Sequence, residues 1–254
     1  MIDRRQFLLG GAALALSGCK VFDGAGASDS ALRKLFASHE GLTQSAQRAL
    51  IGDRLAPEFS ETDIRQGMRP NGSTDPASRD YRGLAANGFH DYRLTVTGLV
   101  DRPQSLSLTD LTALPPRTQI TRHDCVEGWS CIAKWQGAPL GTVLTLAGPK
   151  PTARYVVFHC FDAIERSLSG EVFYYESIDL IDAFHPQTIL AYAMNGAALP
   201  VANGAPLRLR VERQLGYKMA KYVHTIALTD SLASLGYGKG SYWADRGYEW
   251  YAGI

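Results

Sequence analysis

Apolar and polar residues alternate along most of this chain in short runs, and long helical stripes are few. Tyr92-Arg93-Leu94-Thr95-Val96-Thr97-Gly98 has the period of a strand. Residues 118–125 predict a second strand that leads into a turn at Gly128, and the nearly unbroken apolar run Tyr155–Cys160 predicts a buried one. Residues 189–194 and 221–229 add two more. Leu207, Leu209 and Val211 alternate with Arg208, Arg210 and Glu212, the pattern of a half-exposed strand, with Arg210 or Arg213 on its solvated face. Helical spacing is confined to residues 29–51, capped by Ser28 or Asp29 and weakened by Gly41, and to short pieces at 106–114 and 139–146. Residues 52–90 hold Pro57, Pro70, Asn71, Gly72, Pro76 and Gly88 and predict a long irregular stretch with short elements, a kind of segment that is often functional. Short strands with scattered helices give an α+β, mainly β, fold.

The first eighteen residues change this picture. Arg4 and Arg5 precede an apolar run from Phe7 to Leu16, shorter than the ~20 residues a membrane span needs. The segment predicts an export signal. Asp3-Arg4-Arg5-Gln6-Phe7-Leu8 resembles a twin-arginine signal, and Leu16-Ser17-Gly18-Cys19 resembles a lipobox, which implies cleavage before Cys19 and a lipid on its sulfur. The expected organisation is a signal peptide at 1–18, a lipidated tether and N-terminal helix at 19–51, and one catalytic domain at 52–254. The expected location is the periplasm, on a membrane anchor. Lys20, where an aspartate would favour inner-membrane retention, inclines that anchor to the outer membrane.

Composition is that of a globular protein, 45% hydrophobic and 20% charged over 254 residues. Loss of residues 1–18 removes Asp3, Arg4 and Arg5 and leaves 24 charges of each sign. So even a balance argues against general binding to nucleic acid. Export also changes the meaning of the four cysteines, 19, 125, 131 and 160. With lipid on Cys19, three remain in an oxidising compartment, so at least one is unpaired or bound to something. A Cys131–Cys160 bridge stays open at this point. His123, His159 and His185 lack the close ligand spacing of a zinc site, and no haem-attachment motif is present. Cys125 as a hydrolase nucleophile would need a histidine base, and His123 is too near along the chain.

The passage richest in chemistry is Thr121-Arg122-His123-Asp124-Cys125-Val126-Glu127-Gly128-Trp129-Ser130. It resembles the cysteine segment of the sulfite oxidase and periplasmic methionine-sulfoxide reductase superfamily. The resemblance extends through Trp135, Pro139-Leu140, residues 155–160 and His185-Pro186. It resumes at residues 199–208 and 215–222 and reaches the aromatic Tyr248-Glu249-Trp250-Tyr251. It implies a single molybdopterin-binding domain of the sulfite-oxidase type, without the extra dimerisation domain of the larger members, and hence a monomer. It implies a molybdenum-molybdopterin cofactor with Cys125 as the metal ligand, which suits a soft thiolate. Glu127 is implied as a proton donor beside the metal. Asn203, Arg208, Met219, Ala220 and Lys221 are implied as pterin contacts, with Arg208 and Lys221 on its phosphate. Cys160 stands where the reductase branch has a threonine among its cofactor contacts.

Asp124 replaces the arginine that precedes the cysteine in that branch. A carboxylate at the metal entrance would disfavour anions such as sulfite unless Arg122, His123 or Lys134 offsets it. The aromatics Tyr174, Tyr175, Tyr242, Trp243, Tyr248, Trp250 and Tyr251 are candidates for a substrate mouth or for packing. The expected activity is oxygen-atom transfer on a small sulfoxide-like or oxyanion substrate. Sulfite dehydrogenation is the alternative, and a non-catalytic lipoprotein module is the alternative from another class. Electrons would pass to or from an external haem carrier, a cytochrome or a membrane haem subunit.

Overall fold

The computed structural model describes residues 31–65, 67–167 and 170–254, with side chains from residue 41 onward apart from that of residue 167. The export signal, Cys19 and the tether lie outside the described residues. Two units are present, one ending at Gly52 and the other spanning Asp53–Ile254. In the first, helix α1 (Ala31–Ile51) runs unbroken through Gly41, and Ser45 Oγ donates to the Gly41 carbonyl at 2.7 Å. Leu42 and Leu50 are exposed on it.

The second unit is built on two five-stranded sheets. The first has the order β2 (Gln104–Ser107), β1 (Arg93–Gly98), β10 (Val223–Thr229), β5 (Tyr155–Ser167), β6 (Gly170–Asp179). Its β1–β10 pair is parallel and the other pairs are antiparallel. Gly98 is required there, because a Cβ would stand 2.2 Å from the Leu228 carbonyl oxygen and φ is +86°. The second sheet runs β3 (Arg117–Cys125), β4 (Trp129–Pro139), β7 (Ile189–Met194), β8 (Ala197–Ala198), with β9 (Arg208–Arg210) also on β7. Helix α2 (Arg79–Ala86) precedes β1, and two short helices connect strands: α3 (Leu108–Ala113) and α4 (Leu140–Ala147). Helix α5 (Leu180–Ala183) follows β6. Ser107 and Asp110 form a reciprocal cap at the start of α3, and Gly148 closes α4 in the left-handed conformation.

The stretch 52–90 contains a short element as expected, α2, which Ser78 caps. Three features depart from the sequence pattern. Residues 106–114 divide between β2 and α3. Strands β4 and β6, which the pattern did not predict, complete the two sheets. The half-exposed strand at 207–211 is instead buried on both faces, with Arg208 1% and Arg210 0% exposed. Arg213 is also buried, on Asp182 at 2.7 Å. Charge marked Arg210 or Arg213 as solvent-facing, and the buried carboxylates of Glu212 and Asp182 reverse that.

The two faces of the second sheet carry different chemistry. Ala138, Leu190 and Leu209 point into the main core with Leu94, Val96, Phe158, Ile226 and Leu144. The other face carries His123 and Cys125 from β3, cross-strand from Cys131 and Trp129 of β4. It continues with Ile189 and Ala191 of β7, cross-strand from Arg210 and Arg208 of β9. A smaller cluster of Cys131, Ala133, Trp135, Ile189 and Ala191 packs on this face.

Candidate functional site

Cys125 ends β3 where the chain turns back into β4. Val126, Glu127 and Gly128 form the turn, and Gly128 takes φ +85°, a three-residue hairpin loop with glycine in the left-handed position. The turn brings Cys125 to a cleft of about 470 Å³. Glu127, Met219 and Lys221 line it, together with Asn71, Ser73, Asp162, Tyr174, Tyr217, Trp243 and Tyr248. Burial pushes the Cys125 thiol up from its ordinary value, with Glu127 adding to the rise through its charge. Trp129 Nε1 donates to Glu127 at 3.2 Å. Asp162 is 3% exposed, its Oδ1 has no partner within the protein, and burial raises its pKa to about 6.

A cationic recess lies beside the cleft. Lys221 Nζ donates to the carbonyls of Asn71 at 2.6 Å, Ser73, and Ala202 at 3.2 Å. Burial, reinforced by Arg208, lowers its pKa to about 7. Arg208 donates through Nη1 to the Asn203 carbonyl at 2.9 Å, and its pKa falls to about 9 through burial and the nearby Arg210. Both arginines lie over Trp135, at 5.1 and 4.3 Å from the ring centre. Four buried donor atoms here have no partner within the protein: Arg208 Nε and Nη2, Asn203 Nδ2 and His123 Nε2. Gly204, at φ +115°, keeps the recess tight, since a Cβ would press on Lys221 and Arg208 at 3.0–3.1 Å. Burial holds His123 well below its ordinary pKa, helped by Arg210, Arg208 and Lys221.

Buried donors and cations without partners are costly unless an anionic ligand satisfies them. The recess therefore fits a phosphate-bearing, acceptor-rich group, and the adjoining thiol fits a soft metal. Among the described residues no set of three or more His, Cys, Asp or Glu side chains could hold a metal ion. A metal at Cys125 must bring other ligands with it.

The residues expected at the site fall into three groups. Cys125, Glu127, Met219 and Lys221 share the cleft, and Asn203 and Arg208 form the recess. Ala220 does not line the cleft, and its carbonyl accepts from Leu209 at 2.8 Å. Cys160 is buried in β5 and lines a second cavity with His159 and His224. Cys125, Cys131 and Cys160 are all free thiols, which answers the open question of a Cys131–Cys160 bridge. Cys160 packs in the main core and Cys131 in the smaller cluster. Of the aromatic candidates, Tyr174, Trp243 and Tyr248 line the cleft, whereas Tyr175 lines the second cavity.

Asp124 does not stand at the entrance as expected. Strand alternation turns it away from Cys125, and it is held by Arg122 at 2.8 Å and by Ser130 Oγ at 2.5 Å. Lys134 pairs instead with Glu61. Asn71, Ser73 and Asp162 arrive from distant segments and were not among the expected site residues. The turn-rich composition of 52–90 was the one signal for the first two.

Residues 84–236 match the family model described as the oxidoreductase molybdopterin binding domain. The chain is 36% identical over 251 residues to a chain of Azospira oryzae named as a protein-methionine-sulfoxide reductase subunit, YedZ1, covering 98% of this chain and 86% of that one. It is 31% identical over 242 residues to the protein-methionine-sulfoxide reductase catalytic subunit MsrP of Ralstonia nicotianae, covering 91% and 70%. Among solved structures it resembles the sulfane dehydrogenase SoxCD of Paracoccus pantotrophus, with a TM-score of 0.50 and 25% identity over 56% of this chain and 39% of that one. A thiol at a cleft, a recess of unsatisfied donors beside it and these relatives converge: the chain belongs to the molybdopterin-binding oxidoreductase family and is a molybdopterin-dependent enzyme of the sulfite oxidase and methionine-sulfoxide reductase superfamily.

Proposed function

We propose that this enzyme reduces a small sulfoxide-like substrate by oxygen-atom transfer; that its relatives are named as protein-methionine-sulfoxide reductase subunits supports the reading. In this reading Cys125 holds the metal, and Arg208, Asn203 and Lys221 hold the cofactor's phosphate end. The bound molybdenum cofactor supplies the two-electron oxygen-transfer chemistry. The protein supplies position, charge and protons. Glu127, in the turn directly after the ligand, donates a proton as the substrate's oxygen leaves, and the Trp129 indole orients it at 3.2 Å.

The character of the cleft carries the choice of substrate. The charged residues lining it are Glu127, Asp162 and Lys221, and Lys221 is already engaged by three carbonyls. Tyr174, Tyr217, Trp243 and Tyr248 supply aromatic surface. Two carboxylates and aromatic walls favour a neutral, partly apolar sulfoxide over dianionic sulfite. Arg69 lowers the Cys125 pKa by its charge, but it is exposed and stands outside the lining.

The enzyme works in this reading as a periplasmic monomer, anchored by lipid on Cys19, and exchanges electrons with an external haem carrier. Comparison of methionine sulfoxide reduction by a reduced viologen with sulfite oxidation by cytochrome c tests the substrate. Sulfoxide reduction should have the higher kcat/KM, and a clear preference for sulfite would reject the proposal.

A further inference from the structure

His123 is wholly buried and packs against Gly216, a residue of the cleft wall. It precedes Cys125 by two residues on the same face of β3, and Arg208 and Lys221 both act on it electrostatically. Its Nδ1 lies 2.9 Å from Arg210 Nη1 and 3.3 Å from Met219 Sδ. A guanidinium donates and never accepts, so Nδ1 carries a lone pair and the ring proton sits on Nε2.

Arg210 is not free to turn. Its Nε and Nη2 donate to the two carboxylate oxygens of Glu212 at 2.9 and 2.6 Å, and its guanidinium lies 4.3 Å from the Trp135 ring centre. Glu212 is held in turn by Gln119 Nε2 at 2.8 Å. The chain of contacts from Gln119 to His123 thus fixes one neutral tautomer. On the far side of the ring stands Gly216, which lines the cleft. A Cβ at that position would fall 2.4 Å from His123 Nε2 and Cε1. Glycine is what lets the ring come to the cleft wall, and Nε2 there has no partner within the protein.

We propose that His123 donates a hydrogen bond through Nε2–H to the pterin of the bound cofactor, with Arg210 and Glu212 as positioning residues that fix its tautomer. The inference rests on the assignment of the cofactor to this site. It adds a residue that the phosphate contacts do not require: a neutral donor serves the pterin without a further positive charge beside Arg208 and Lys221. A pterin offers ring nitrogen, oxygen and dithiolene sulfur acceptors to such a donor, and no proton is transferred.

The test uses the full-length protein, labelled with 15N-histidine, before and after loading with molybdenum-molybdopterin. In the wild type His123 should be the Nε2–H tautomer throughout, and loading should shift that proton and slow its exchange with solvent. His123→Phe keeps a ring of similar size and removes both nitrogens. Its bound pterin, measured as the fluorescent oxidised product, should be held roughly tenfold more weakly than in the wild type. A wild-type Nδ1–H tautomer, an Nε2–H signal unmoved by loading, or wild-type pterin retention in His123→Phe would each overturn the donor assignment alone. If the variant does not fold, the wild-type spectra decide. A wild-type chain that takes up no molybdopterin overturns the cofactor assignment and the donor with it.

Discussion

Arg208 and Leu209 are neighbours on β9 and face opposite ways. Leu209 enters an apolar core with every contact satisfied by packing, whereas Arg208 enters a recess with two donor nitrogens unmatched. Ala138 and Leu190 share the core of Leu209, and His123 and Asn203 share the unmatched donors of Arg208. One face is built for stability, through burial of apolar area. The other collects buried cations and free donors, features that oppose folding until a ligand arrives. The site is thus a face of the sheet where packing has given way to binding.

The largest effect should come from breaking the ionic frame of the binding face. Arg210 and Glu212 have fully buried side chains, paired at 2.6 Å. Glu212→Ala leaves the guanidinium without its counter-charge, which should cost about 3–5 kcal/mol in urea unfolding. Replacement of both residues by apolar ones should recover most of that loss. If the single variant is as stable as the wild type, the frame is not what holds this face together.

A sharper comparison changes one neighbour at a time. Leu209→Ala should cost about 2–5 kcal/mol of stability and leave cofactor affinity unchanged in the folded protein. Arg208→Leu should do the reverse. It removes an unmatched buried charge and should stabilise the cofactor-free chain by about 1 kcal/mol. It should also weaken pterin binding by about 10- to 150-fold, the equivalent of a charge-assisted contact. Equal effects of the two variants on both properties would erase the distinction between the faces.

A smaller effect should appear with pH. The native pKa of Lys221 is about 7 against 10.5 for a free lysine. Between those values the unfolded chain binds a proton that the native chain does not, so stability of the cofactor-free protein rises with pH across that window. An anion needs the charged lysine, so pterin affinity should fall over the same window, by up to about tenfold per pH unit. Lys221→Arg keeps its charge and should flatten that fall. A wild-type affinity that is constant across the window would exclude Lys221 from the phosphate.

Which parts of this architecture the sequence displayed follows from the same contrast. Strands β1, β5 and β10 face the apolar core, and their alternation or continuous apolar runs were plain. Strand β6 was hidden because Glu176 looks like a surface residue. It is fully buried against Lys218, an ion pair that residue type alone does not reveal. Strand β4 was hidden by Ser130, Lys134, Gln136 and Gly137, which interrupt any simple period. Arg208 and Arg210 had the correct strand period, but period does not say which face meets water. At the site, Cys125 and Glu127 stood in one contiguous motif. Asn71, Ser73 and Asp162 reach the cleft only through tertiary folding; the turn-rich composition of 52–90 points to the segment of the first two, and no local pattern marks Asp162. The tie from Glu212 through Arg210 to His123 links strands that lie far apart in the chain.

Everything proposed for the site depends on Cys125, and no other thiol, holding the metal. The direct measurement is the molybdenum and pterin content, together with turnover, of Cys125→Ala and Cys131→Ala proteins made in a molybdenum-competent host. Both residues lie on the binding face of the second sheet, but only Cys125 opens onto the cleft. Cys131→Ala should retain bound molybdenum and activity. Cys125→Ala should lose the metal or hold it in an inactive form. A Cys125→Ala protein with a full complement of molybdenum and wild-type turnover would contradict the account.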